Sequence, residues 1–320
     1  MWEVPETAIH VADNSQQVRI DKQALVRFSR KWLADGSQVP SWDRRYHFCG
    51  NSEDTVSYLL VLDSLNFCFW PLSAGAKWEI EYESRRLSGY YALAVSLKQA
   101  VQSGIPITKA EYLAELSLGQ LKQLLGGRGE LPLIEHRRQI LNELGQVLLR
   151  EYEGQAHKLV EAAERSAIRL ALLLAEKLVS FQDVAEYLGH KVFFYKRAQI
   201  FAADLYGAFN GQNWGRFTDI HKLTAFADYK LPQVLRHLGI LHYERALAQK
   251  VDQKILLEAG SPEEVEIRAN TIRAVELIRQ ELDRMGKGLR AFEIDWMLWN
   301  LGQDAVFKVK PYHRTLTIFY

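Results

Sequence analysis

The apolar positions of this chain recur mainly at three- and four-residue spacing, the period of amphipathic helices. Asp21 opens the stretch DKQALVRFSRKWLAD, in which Leu25, Phe28, Trp32 and Leu33 form one apolar stripe. TKAEYLAEL begins with the spacing of a capping box, Thr108 to Glu111, and SLGQLKQLLGG repeats the device with Ser117 and Gln120 before a pair of glycines ends the run. Long amphipathic patterns follow over about 133–153 and 156–179, then over 181–188, 192–209, 218–226 and 231–238. Gly239 is placed to terminate the last of these. Ser261 and Pro262 open a further helix with a cap and a first-turn proline, and another covers about 289–302. Strand signals are few. KWEIEYES alternates Trp78, Ile80 and Tyr82 with Glu79, Glu81 and Glu83, and TLTIFY closes the sequence with β-formers. GGRGELP at 126–132 reads as a loop. No repeat, low-complexity tract or Pro/Ser-rich linker divides the chain, so the pattern predicts a single mostly α-helical domain over residues 1–320 with a few short strands.

Composition narrows the function classes. The apolar fraction of 48% supports a sizeable core, and Lys+Arg 40 against Asp+Glu 39 leaves a net charge of +1. Nothing in that balance attracts nucleic acid or an anionic membrane at long range. Cys49 and Cys68 have no metal spacing and point to a reducing compartment rather than a disulfide scaffold. MWEVPETAIHVADNSQQVRI has no basic stretch followed by an apolar run, so no signal peptide is expected. AIRLALLLAEKLVSF is broken by Arg169, Glu176 and Lys177 and is too short to span a bilayer. The expectation is a soluble, cytoplasmic protein.

The candidate chemistry lies in carboxylates set among aromatics. FTDIHKLTAFADYKLPQVLRHLGI reads as helix, tight turn, helix, with Asp228 in the turn and Pro232 opening the second helix. The positive end of a helix favours a carboxylate there by about 0.3–1 kcal/mol. Asp228 is thus either a helix cap or a charge aimed at a positive partner, with Phe226 and Tyr229 beside it. In EIDWMLWN, Asp295 sits in an apolar helix with Trp296 and Asn300 on one face and Trp299 on the adjoining one. A buried acid among indoles needs a partner, which is either an Arg or Lys elsewhere in the fold or a cationic ligand. Lys196 and Arg197 form a basic pair that reads as a solvated face or as the lining of a cleft shared with Asp204, eight residues after Lys196. The chain contains no G-x-x-x-x-G-K-[ST], no G-x-G-x-x-G after a strand, no H-E-x-x-H and no G-x-S-x-G. Its histidines lack a metal spacing, so carboxylates plus aromatics point to a cation-stabilising or sugar-cleaving site.

Several segments together resemble the queuosine salvage protein family: LNFCFWP (65–71), SGYYAL (88–93), GIPIT (104–108), FYKRAQI (194–200), FADYKLPQVLRHLG (226–239), EVEIRA (264–269) and PYHRTLTIFY (311–320). They run in the family's order from about residue 50 onward. The resemblance implies a helical fold like that of the helix-hairpin-helix DNA glycosylases. It implies hydrolysis of the N-glycosidic bond of queuosine 5′-monophosphate to release queuine for tRNA modification, with no metal or organic cofactor. The F-A-D-Y motif carries the family's key carboxylate, here Asp228, with Phe226 beside the base. The base pocket draws on Asp295 and Trp296, on Asn300 where some relatives have Asp, and on an N-terminal histidine matched by His47. Lys196, Lys222 and Lys230 are the candidates for the 5′-phosphate.

These expectations are chemically coherent. Breaking a ribosyl C–N bond develops oxocarbenium character, which a carboxylate stabilises or traps. Queuine is a 7-deazaguanine with carbon where a purine has a protonatable nitrogen, so activation must come through other atoms. Its secondary amine is cationic and suits an indole-flanked acid. The rivals are a non-catalytic queuine or nucleotide binder, and a DNA base glycosylase, which the balanced charge and the absence of a Gly-rich hairpin turn disfavour. The expected partners are the nucleotide and its base, with no direct nucleic-acid or membrane binding and a monomer slightly favoured.

Overall fold

The computed structural model describes residues 2–72 and 75–320. Its first helix, α1 (Val4–Asn14), has a first-turn proline and buries Val4, Ala8 and Val11. Strand β1 (Val18–Ile20) leads to α2 (Lys22–Ala34), where Asp21 accepts from the Ala24 amide at 2.8 Å as the sequence predicts. Helix α3 (Ser52–Ser64) follows, capped by Asn51 and buried on nearly every side. The hairpin of β2 (Glu79–Tyr82) and β3 (Arg85–Ser88) feeds the equally buried α4 (Tyr90–Gln102). Helices without a polar face carry no amphipathic signal, which is why α3 and α4 escape the pattern.

Next come α5 (Ala110–Ala114), α6 (Leu118–Leu125) and α7 (Ile134–Glu151). The Ser117–Gln120 capping box forms in full at α6. At α5 the predicted Thr108–Glu111 box is absent: the helix starts on Lys109 without a side-chain cap, and Thr108 hydrogen-bonds Asp54. The predicted helix over 156–179 is split into α8 (Ala156–Ala162) and α9 (Ala167–Lys177), because Glu164 and Arg165 take left-handed backbone and Ser166 starts a new cap. The predicted helix over 181–188 is instead the antiparallel hairpin of β4 (Val184–Tyr187) and β5 (His190–Phe193). Leu188 and Gly189, with φ of 50° and 78°, make the two-residue turn that matches strand twist.

Helix α10 (Lys196–Ala208) fills most of the predicted 192–209, whose first two residues belong to β5 instead, but 218–226 is not helical. It holds one 3-10 turn, Ile220–Lys222, and then runs extended. Side chains elsewhere claim its polar groups. Asp219 accepts from Ser166 Oγ and the Ala167 amide, and the Thr224 amide donates to Gln199 Oε1 at 2.8 Å. Asp228 therefore ends an extended run rather than occupying the turn of a helix–turn–helix. Then follow α11 (Lys230–His237), stopped at Gly239 with φ 70°, and β6 (Leu241–Tyr243), paired antiparallel with β1. Helices α12 (Arg245–Asp252), α13 (Pro262–Arg284, capped by Ser261) and α14 (Ala291–Leu301) complete the set. TLTIFY forms no strand: the Tyr320 carbonyl accepts from the Cys68 amide while its ring covers Arg268.

The larger apolar core joins α3 through α10, and a smaller one joins α2, β1, β6 and α11 through α14. A third patch seats α1 and the β4–β5 hairpin on α13. In the larger core, a Cβ at Gly145 would fall 2.3 Å from the Ala114 amide, so only glycine lets α7 lie this close to α5. Among the described residues, no helix is long and apolar enough to cross a membrane.

A carboxylate-lined cavity as candidate active site

Where the two main cores meet, a cavity of about 460 Å³ opens. The large core contributes the 40–47 loop, Tyr90 and Tyr91 of α4, and Lys196, Ile200 and Asp204 of α10. The opposite wall is Phe226, Asp228 and one face of α14, namely Asp295, Trp296, Trp299 and Asn300. The predicted set of His47, Lys196, Phe226, Asp228, Asp295, Trp296 and Asn300 all line this one space. Asn300 is exposed at the mouth, with its amide donating to the Trp296 carbonyl at 2.8 Å.

The carboxylates are held in a common way. Asp228 Oδ1 accepts the Lys230 and Leu231 amides at 2.7 and 3.0 Å, so it does act as the cap of α11. Its Oδ2 has no protein partner among the described residues and is open to the cavity. Asp295 Oδ2 accepts the Phe226 amide at 2.7 Å, and its Oδ1 has no hydrogen-bond partner among the described residues. Asp204 Oδ2 lies 3.2 Å from the Tyr90 hydroxyl, and its Oδ1, on the cavity lining, has no hydrogen-bond partner among the described residues. Burial pushes Asp295 well above the usual carboxylate range, against the pull of the Phe226 amide. The same cause lifts Asp204 to about 8, offset by Tyr90 and Lys196. Behind Asp204 sits Asp63 on α3, fully enclosed, with neither carboxyl oxygen hydrogen-bonded among the described residues. Burial, and then the nearness of Asp204, raise it well above the ordinary value.

The walls between these acids are aromatic. Trp42 packs on His47 with ring centroids 4.3 Å apart, and Trp299 stands edge-on to Tyr90 and Tyr91 at 5.8 and 5.3 Å. Gly207 on α10 makes room for the indoles: a Cβ there would lie 2.8 Å from Trp42 and 3.2 Å from Trp296. Both His47 nitrogens are occupied, Nδ1 by the Asp43 carbonyl at 2.6 Å and Nε2 by the Tyr90 hydroxyl at 2.9 Å. Burial lowers its pKa. Lys196 and Arg197 are not a solvated face, being only 4% and 2% exposed. Lys196 donates to the Asn66 carbonyl at 3.0 Å, while Arg197 donates to the carbonyls of Ser64 and Ser180. Burial lowers Lys196 to about 8, with Asp228 the main opposing charge.

A buried ion pair props the Asp228 segment from behind. Arg268 on α13 grips Asp183 with both Nη atoms at 2.8 and 2.6 Å, and its Nε donates to the Ala227 carbonyl at 3.0 Å. Asp183 also accepts the Lys196 amide at 3.1 Å and so fixes the start of α10. Phe194 and Tyr320 close over the guanidinium, at 3.8 and 4.3 Å. The EVEIRA and PYHRTLTIFY segments thus serve as the support of the site.

A side cleft of about 140 Å³ shares Asn66, Lys196 and Asp228 with the cavity and holds Lys77, Lys230 and Lys308. Lys77 Nζ donates to Ser88 Oγ at 2.7 Å and Lys230 Nζ to Gln233 Oε1 at 3.1 Å. Burial lowers Lys230 to about 8, and the charges of Lys308 and Lys77 add to that effect against the pull of Asp228. Lys222, in contrast, is exposed and lines neither space; its carbonyl accepts from the Trp2 indole.

Sequence reasoning left Trp42, Tyr90, Tyr91 and Asp63 unassigned. The last had a legible signal, a lone acid inside the apolar run SYLLVLDSLNF. The arrangement suits a flat ring bearing positive charge, stacked between indoles and met by carboxylates.

Comparison with known proteins gives the family. A family model described as queuosine salvage protein matches residues 46–320. The queuosine 5′-phosphate N-glycosylase/hydrolase of Sphaerobacter thermophilus is 46% identical over 314 residues, covering 98% of this chain and 96% of the relative. Proteins of the same name from Dictyostelium discoideum and Mus musculus are 37% and 36% identical over 330 residues, covering 99% and 98% of this chain and 98% of each relative. The chain belongs to the queuosine salvage protein family.

Proposed function

We propose that the protein is a hydrolase that cleaves the N-glycosidic bond of queuosine 5′-monophosphate and releases queuine for reuse in tRNA modification. The observation that carries this reading is Asp228, clamped by amides at one oxygen and open to the cavity at the other. A carboxylate so fixed offsets the positive charge that grows on the ribose as the C–N bond stretches, without reorganising during the reaction. Phe226 and Trp296 sandwich the base, His47 and Asn300 border it, and Asp295 takes the queuine ammonium. Lys196 stands between base and phosphate sites. Lys77, Lys230 and Lys308 receive the 5′-phosphate, since clustered cations at a cleft edge seek an anion.

The fold we read as akin to the helix-hairpin-helix DNA glycosylases, supported by its mostly helical build and by a carboxylate just ahead of a helix. The chain acts as a single unit in a reducing cytoplasm, a reading supported by its free Cys49 and Cys68. It works as a monomer without gripping a nucleic-acid backbone, in keeping with its net charge of +1. A pure binder has no use for Asp228 Oδ2. Incubation with queuosine 5′-monophosphate, with mass detection of queuine and ribose 5-phosphate, tests the proposal. Tight binding with the nucleotide recovered intact would replace it with the binder.

A further inference from the structure

We propose that Asp204 is the acid that protonates the departing base, with Tyr90 and His47 forming the wire that steadies it. This rests on the glycosidase reading above. Cleavage sends the C–N electron pair onto the base, and a carboxyl group that still holds its proton is the group to meet it. Of the acids with an oxygen open to the cavity, Asp228 and Asp295 are anchored by backbone amides, which can only donate. Asp204 is anchored by a hydroxyl, which can turn its hydrogen either way.

Hydrogen accounting along the wire is restrictive. His47 Nδ1 faces a backbone carbonyl and must carry a hydrogen. If the Tyr90 hydroxyl donates to Asp204, then His47 Nε2 must donate to Tyr90, which makes an imidazolium facing a carboxylate. If Tyr90 donates to His47, both ends are uncharged and the proton resides on Asp204. The two patterns differ by one proton passed through Tyr90. Burial raises Asp204 and lowers His47, and both shifts select the uncharged pattern. The groups facing Asp204 are Asp63 and Tyr58 on α3, Tyr90 on α4, Lys196 on its own helix and Asp295 on α14. Lys196 alone among them brings positive charge, and it is already shared with Asp228, Asp63 and Asp295.

The step balances. As the C–N bond breaks, its electron pair goes to the base and the base takes the Asp204 proton. Tyr90 then swings its hydrogen from His47 to the new carboxylate, and the neutral His47 Nε2 stays without a donor until a proton returns to Asp204. Water supplies hydroxide to the sugar carbon, and the proton it gives up restores the Asp204 carboxyl.

The test compares leaving groups. Nitrophenolate departs without a proton, so a nitrophenyl riboside 5-phosphate does not need the acid. Asp204→Asn should lower kcat for queuosine 5′-monophosphate by about 10²-fold or more yet leave nitrophenol release within a few-fold of wild type. Asp228→Asn should lose both. On queuosine 5′-monophosphate, wild-type kcat should fall as pH rises through about 8 more steeply than that of Asp204→Asn, in which only Lys196 and Lys230 still lose charge there. In Tyr90→Phe the limb should move to higher pH, because the new carboxylate loses its donor. Equal losses on both substrates, or a basic limb as steep in Asp204→Asn as in the wild type, would overturn the proposal while leaving the glycosidase reading intact. If the wild type releases no queuine, that reading falls, and this proposal with it.

Discussion

Two groups of buried charge flank the 226–228 segment, and they are satisfied to very different degrees. Behind it, Arg268 spends its donors on Asp183 and the Ala227 carbonyl and is roofed by aromatic rings. In front, Asp204, Asp228 and Asp295 each anchor one oxygen and leave the other to the cavity, while Asp63 anchors none. Buried polar groups are almost always paired when their task is to hold a fold together. The first group therefore has the character of a support, and the second has valence kept in reserve for a ligand. The contrast teaches where to cut.

The largest effect is expected on the support. Arg268→Ala leaves Asp183 buried without its partner and should cost about 3–5 kcal/mol of stability, read from denaturant unfolding. A loss under about 1 kcal/mol would erase the distinction between the two groups. Next comes Asp228→Asn, which keeps the shape and much of the capping. It should cost at most about 1–2 kcal/mol of stability but lower kcat by about 10²-fold or more. Turnover close to wild type would leave Asp228 as a cap alone. Asp295→Asn should weaken queuine binding by about 2 kcal/mol or more and barely affect plain 7-deazaguanine. Calorimetry giving equal losses for both ligands would remove the ammonium from this acid.

Smaller effects mark the edges of the comparison. Lys77→Gln or Lys308→Gln should each lower kcat/KM for the nucleotide by roughly 1 kcal/mol and spare the nucleoside, since both lysines are exposed and screened. Proportional losses on both substrates would move the phosphate elsewhere. Asp63→Asn should stabilise the protein by an amount that grows with pH. An acid whose native pKa is raised favours folding fully only below its unfolded value, about 3.9, and that contribution is lost as pH rises toward the native value. The asparagine variant does not titrate, so its melting temperature should gain on wild type from about pH 4 upward. A constant offset across that range would show that Asp63 does not carry the penalty.

Much of the site was legible in the sequence, and the exceptions share physical causes. Asp228, Asp295 and Trp296 stood out because acids beside large aromatics are rare company, and the family motifs tied them to one task. Lys196 and Arg197 were harder, since a basic pair looks the same in sequence whether water or a protein carbonyl receives it. Helices α3 and α4 went unseen because burial on all sides erases periodicity, and with them went Asp63 and the role of Tyr90. The 218–226 segment carried a helical pattern but lost its backbone bonds to Gln199 and Asp295, partners distant along the chain. The β4–β5 hairpin shows the reverse: its Leu188–Gly189 turn was a local signal, overridden by an apparent helical period.

The cavity's location between the two main cores also has a kinetic meaning. Its walls come from the 40–47 loop, α4, α10, the 226–228 segment and α14, and β1 must find β6 across most of the chain. Contacts so far apart close late in folding, because the entropy of large loops is lost before their pairing compensates. No fragment formed early during synthesis contains the complete site. Catalytic competence on refolding should consequently rise with the slowest phase, after most helical signal has returned, so that turnover serves as a clock for the last docking event.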